Sequence, residues 1–178
     1  MNVKKRIAIG LRICLLIVII GLISYRGVML LRRPPLNLSE LIRNENIDDL
    51  SLTIYYKPPA LVSMPISVKG LINSDWGGAR IIIRVDDLEE YIDLFKQINR
   101  SHLNPVWWRA PNVDVRLYYV LESKQNGRLL EVAAWCLGSS MYVNGFEVRA
   151  NTIFYEVILP FMPEDVARDF ERWFELGR

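Results

Sequence analysis

The sequence predicts an α+β domain built on an antiparallel sheet and preceded by a single apolar helix. Three features predict it: an apolar run near the start, two Asn-Gly dipeptides between alternating segments, and two acid-led stretches with apolar residues at helical spacing. Hairpins in place of long crossovers imply antiparallel pairing, with two to three helices on one face of the sheet.

The apolar run covers residues 7–25, and its centre, Ile13 to Ile23, carries no charge. Roughly 20 predominantly apolar residues carry a helix across the ~30 Å hydrocarbon layer, so the run reads as a transmembrane helix with the Arg12 head group snorkelling outward. No A-x-A-like pair of small residues follows it near Gly21–Tyr25, and no small residue precedes Cys14. An uncleaved signal-anchor is therefore expected over a cleaved leader or a lipid-modified cysteine. Lys4, Lys5, Arg6 and Arg12 outnumber Arg26, Arg32 and Arg33, which places the N-terminus in the cytoplasm. The expected location is a single-pass cell-membrane protein with its folded domain extracytoplasmic. The divisions are a basic tail (1–6), the span (7–25), a basic linker with Pro34-Pro35 (26–37) and the α+β domain (38–178).

Charge narrows the partner classes. Seven of the 22 basic residues precede residue 36 and all 20 acidic residues follow it, so the domain carries 15 basic against 20 acidic residues, net −5. Nucleic acid, which needs Lys and Arg clustered on the folded surface, is not an expected partner. Cys14 lies in the span and Cys136 in an expected strand, so no disulfide within the chain is expected.

Along the domain, Asn37 or Ser39 can cap a short peripheral helix to Arg43, Asn37 and Glu40 having capping-box spacing. Leu50, Leu52, Ile54 and Tyr56 alternate as one face of a strand, ended by Pro58-Pro59. Strands from Ile66 to Ile72 and from Ala79 to Val85 are expected to form a hairpin around residues 73–78. A helix from Asp86 to about Asn99 follows, capped by Asp86 and Glu89, with Leu88, Tyr91, Ile92, Phe95 and Ile98 as its buried stripe. Its acidic start, Asp86, Asp87, Glu89 and Glu90, is explained by capping and the helix dipole.

Val113, Val115, Leu117, Tyr119 and Leu121 alternate as the next strand, which returns through a type I′ turn at Asn126-Gly127 into Leu129–Leu137. Met141–Val143 and Phe146–Val148 form a second hairpin around Asn144-Gly145. Residues 151–159 fit a helix or a strand. Pro163 and two acids then open a terminal helix with Val166, Phe170, Trp173 and Phe174 on one face.

No catalytic residue, metal site or cofactor is implied. His102 is the only histidine, and no Gly-rich phosphate loop, G-x-S-x-G, H-E-x-x-H or Cys/His cluster is present. The irregular segment 100–112 holds His102 and the adjacent Trp107, Trp108 and Arg109, while Trp76 lies in the earlier turn. Adjacent tryptophans on an extended chain point to opposite sides, so one ring can be displayed as an interface anchor. These five residues are the candidate binding site.

The run Ile82–Ile92, together with the Met141–Gly145 hairpin, resembles small bacterial membrane-anchored or lipoprotein-like extracytoplasmic domains of unknown function. That resemblance implies location and names no activity. The expected function is a membrane-anchored partner-binding, accessory or sensor-like domain, recognising a protein or an envelope component. The alternative is a membrane-tethered enzyme acting on cell-envelope material.

Overall fold

The computed structural model describes residues 14–25, 27, 36–58, 65–73, 80–106, 114–135 and 139–174. The chain divides into two compact units, Met1–Arg33 and Pro34–Arg178.

The first unit overturns the expected membrane span. Its described residues, 14–25 and 27, are helical. Among the described residues no helix is long and apolar enough to cross a membrane. Single-pass anchoring, and the extracytoplasmic placement that depended on it, are therefore not supported. The expectation rests on the apolar composition of residues 7–25, of which 7–13 lie outside the described residues.

The second unit is α+β, as expected, with six antiparallel strands among its described residues. In chain order its elements are α1 (Leu38–Arg43), β1 (Leu50–Tyr56), α2 (Val68–Asn73), β2 (Ile81–Val85), α3 (Ile92–Lys96), β3 (Val115–Ser123), β4 (Gly127–Trp135), β5 (Ser140–Val143), β6 (Phe146–Arg149), α4 (Ile153–Glu156) and α5 (Glu164–Trp173). The strands lie in the order β2-β1-β3-β4-β5-β6. From β3 onward the sheet is a meander, and β1 inserts between β2 and β3.

One face of the sheet carries the main core. Leu50, Leu52, Ile54 and Tyr56 of β1 continue across Leu117, Tyr119 and Leu121 of β3, then Leu130, Val132 and Ala134 of β4. Leu38 and Ile42 of α1, Ile92 and Phe95 of α3, Phe154 and Tyr155 of α4 and Phe170 of α5 cover this row. The Tyr119 hydroxyl reaches across the core and donates to the Phe154 carbonyl at 2.8 Å, giving a buried polar group its partner. The helix α1, expected at the periphery, buries Leu38 and Ile42 completely enough to belong to the core.

Several local expectations are corrected. The strand Ile66–Ile72 and its hairpin are not formed: Val68–Asn73 is helix α2, opened by Ser67, whose hydroxyl accepts the Gly70 N–H at 3.1 Å. Ile81–Val85 pairs with β1 instead. Of the helix expected over 86–99 only Ile92–Lys96 is α-helical, because Asp87, not Asp86, accepts the Glu89 N–H and holds the preceding residues in turns. The apolar stripe Leu88, Ile92, Phe95 and Ile98 is nevertheless buried. Residues 153–156 are helical. Not all helices share one face, since α2 packs against the opposite side of the sheet.

The two Asn-Gly dipeptides differ. At Asn144-Gly145 both φ angles are positive, 48° and 79°, as a two-residue type I′ turn requires. At the other, Ser123 pairs with Gly127, so the loop has three residues, 124–126, and the one positive φ of the pair belongs to Gly127, which opens β4 just after the loop.

Candidate binding face

The second face of the sheet is built from the residues that lie between the core positions. One row crosses all six strands: Ile82, Tyr55, Tyr118, Ala133, Tyr142 and Glu147, each opposite the next. Alternation forces this, because every strand that buries its odd or even set in the main core must turn the other set to this side. Helix α2 and Ile66 cover the middle of the row, where Ile66 and Leu71 pack with Val115, Tyr118, Val120 and Ala133.

Aromatic rings form two pairs on this face. Tyr55 and Tyr118 lie 6.0 Å apart, and the Arg80 guanidinium sits 5.7 Å from the Tyr55 ring centre while donating to the Leu71 carbonyl at 2.9 Å. Toward β5, Trp135 and Tyr142 lie 5.8 Å apart and both are half-buried. A ring pair of this kind offers a large contact area with few rotamers to freeze.

Polar groups frame the rings. The Tyr118 hydroxyl donates to Glu131 Oε1 at 3.0 Å, and Arg128 Nη1 donates to Glu131 Oε2 at 2.6 Å. Burial, reinforced by the Glu131 carboxylate, pushes the Tyr118 hydroxyl up to about 12, so it stays a donor at any physiological pH. The hydrogen bond to Glu131 also holds the Arg128 guanidinium above its ordinary range.

At the head of β3 the strand bulges: Val115 opposes Trp135 and Leu117 opposes Ala134, leaving Arg116 as the extra residue. Its side chain is only 2% exposed, yet its Nε and Nη2 both donate to Asp114 Oδ2, at 2.8 and 2.7 Å. Asp114 Oδ1 accepts the Ile66 N–H at 2.9 Å, fastening the segment before α2 to the same pair. Arg116 Nη1 is buried with no hydrogen-bond partner among the described residues.

Of the residues singled out from the sequence, Trp76, Trp107, Trp108 and Arg109 lie outside the described residues. The described residues nearest those segments border the second face: Arg80 stacks on Tyr55, Asp114 pairs with Arg116, and the Val106 N–H approaches the Glu147 carbonyl at 3.5 Å. His102 closes a short 3-10 turn, where its Nδ1 accepts the Asn99 N–H at 3.2 Å and Asn99 Oδ1 accepts the Ser101 N–H at 2.9 Å. The ring thus completes a cap. Cys136 lies outside the described residues, among which no three His, Cys, Asp or Glu side chains gather as a metal site.

Tyr55, Tyr118, Trp135 and Tyr142 were not singled out from the sequence. The signal was the same alternation that identified the core, read for the intervening positions. No protein-family model matches the chain, and no curated protein or solved structure is significantly similar to it, so its function rests on the side chains alone.

Proposed function

We propose that the domain is a partner-binding module and that its partner is a protein docking on the second face of the sheet. The half-buried Trp135–Tyr142 ring pair carries this reading, because it lies on a face where, among the described residues, only the six-residue α2 and Ile66 replace the helical layer that seals the other side. Aromatic and arginine side chains are the usual anchors of protein interfaces. The face mixes Arg80, Arg84 and Arg128 with Glu122 and Glu131, and the domain is net negative. Neither property suits a nucleic-acid backbone.

Trp107 and Trp108, which lie outside the described residues, enter the test because the sequence singles them out. Crosslinking and pull-down of the full chain from its native cell extract, followed by titration of the captured protein, gives the reference affinity. Trp135→Ala, Tyr142→Ala, Trp107→Ala and Trp108→Ala are then compared for affinity and melting temperature. A displayed anchor should weaken binding by about thirtyfold, the equivalent of ~2 kcal/mol, with little change in melting temperature. If all four variants bind as wild type, or lose binding only in proportion to unfolding, the face is structural and the reading fails.

A further inference from the structure

The two edges of the sheet are treated differently. Along β6, Arg149 donates its N–H to the Asn104 carbonyl at 2.7 Å, Pro105 bridges to Val148, and the Val106 N–H reaches Glu147, so a stretch of chain covers that edge. Along β2, no described residue pairs with the outer edge, and Ile82 is 40% exposed. An unpaired strand reading Ile-Ile-Ile-Arg-Val is a template for another strand.

We propose that β2 pairs with β2 of a second copy of the chain, antiparallel and centred on Ile83, so that two six-stranded sheets continue as one. The direction of the backbone groups comes first. Lys57 donates its N–H to the Arg116 carbonyl, one step beyond the β1–β3 register, so odd-numbered residues of β1 address β3 and even-numbered ones address β2. Ile54 and Tyr56 oppose Ile83 and Ile81, which therefore turn their N–H and C=O groups inward. Ile82 and Arg84 turn theirs outward, to the open edge.

A two-fold axis at Ile83 then places Ile82 opposite Arg84 of the second copy, with both residues hydrogen-bonding outward. Ile81 falls opposite Val85 and Ile83 opposite itself, adding apolar contact on the side that packs toward the core. Arg80 falls opposite Asp86, twice by symmetry; its guanidinium, which stacks on Tyr55 and donates one N–H to the Leu71 carbonyl, has further N–H groups to turn to that carboxylate. The neighbouring registers are worse: centring on Ile82 sets Arg80 against Arg84, and centring on Arg84 sets that residue against itself. Charge thus selects the register that also overlaps the whole strand. A pairing of one short strand a side lies at the small, reversible end of interfaces, so association depends on concentration.

The test uses the full chain. Sedimentation velocity over a concentration series should show a reversible monomer–dimer equilibrium. In a Cys14→Ser, Cys136→Ala background, Ile83→Cys should form a disulfide-linked dimer, because a non-hydrogen-bonded pair brings Cα atoms to about 4.5 Å, within reach of a disulfide. Arg84→Cys in the same background should not. Ile82→Pro removes an outward N–H while leaving pairing with β1 intact, and should leave a folded monomer. If that variant loses its fold, Asp86→Arg decides. Asp86 is exposed, and the change turns two attractive pairs into repulsive ones, weakening association about tenfold or more. The proposal is overturned by a chain that stays monomeric at every concentration, by a dimer that ignores Asp86→Arg or in which Ile83→Cys forms no intermolecular disulfide, or by a different protein found on this edge.

Discussion

Asn144 and Glu131 exchange two hydrogen bonds: the Asn144 N–H donates to the Glu131 carbonyl at 2.8 Å, and the Glu131 N–H donates to Asn144 Oδ1 at 2.7 Å. The Asn144 Nδ2 also reaches the Leu129 carbonyl at 3.3 Å. A turn side chain thus extends the β4–β5 ladder beyond Val132 and Val143, past the point where the backbone must leave to form the hairpin.

Two substitutions separate the roles of Asn144. Asn144→Gly keeps the positive φ available but removes the side-chain bonds, and should destabilise the domain by about 1–2 kcal/mol. Asn144→Ala removes the same bonds and adds left-handed strain, for a further ~1 kcal/mol. Urea unfolding of the three proteins checks the order. Equal stability for the alanine and glycine variants would show that strain at this position is negligible.

Alkaline pH should weaken the fold through its tyrosines. Burial raises Tyr119 well above its ordinary value of 10.0, and burial with Glu131 raises Tyr118 to about 12. Both groups favour the protonated, folded form. Their contribution is full below pH 10, the unfolded value, and declines as pH rises through 10 toward 12. Melting temperature measured across that window should fall, and Tyr118→Phe and Tyr119→Phe should each flatten the decline while lowering the value at neutral pH. A melting temperature that stays constant between about pH 10 and 12 would contradict the assignment.

The Arg116–Asp114 pair should be asymmetric to mutation. Removing Asp114 strands a cation that is 2% exposed, so Asp114→Ala should approach the roughly 3–5 kcal/mol loss of a broken buried pair. Arg116→Met keeps most of the buried volume and removes the charge, leaving Asp114, 40% exposed, to be solvated. It should cost much less, under about 1.5 kcal/mol. Denaturation of both variants, with the double substitution completing the cycle, decides. A larger loss for Arg116→Met would mean that the guanidinium's hydrogen bonds, not its unpaired charge, dominate.

The parts of the fold legible in the sequence are those where one local signal suffices. Leu50 to Tyr56 alternate without interruption and form a strand over those residues. Asn144-Gly145 flanks two four-residue strands and makes the expected turn. The failures come largely from interactions made at a distance. The apolar residues of Ile66–Ile72 do not by themselves separate strand from helix; the helix there depends on the Ser67 cap, a local signal within the segment, and on the distant sheet face that receives Leu71. The bulge at Arg116 breaks an alternation that reads as continuous from Val113 to Leu121, and only the register against β4 reveals it. The five-residue α3 buries the stripe expected of a longer helix, because spacing identifies which side chains face the core but not how many turns are α-helical. In the candidate site, His102 stands out as the only histidine and serves a cap, while the second-face tyrosines are hidden by reading only as strand formers.

The position of β1 bears on how the protein is made. Its pairing with β3 joins residues 61 to 73 places apart, from Tyr56 with Leu117 to Leu50 with Ser123, whereas β3, β4 and β5 each meet the strand that follows. A ribosome adding about 5–20 residues per second needs about 3–15 s to supply β3 after β1 has been made. Through that interval Leu50, Leu52, Ile54 and Tyr56 lack the central strand they will share a core with. The nascent chain therefore carries the apolar row of β1 unsheltered by β3 for seconds, a period in which aggregation and chaperone capture compete with folding.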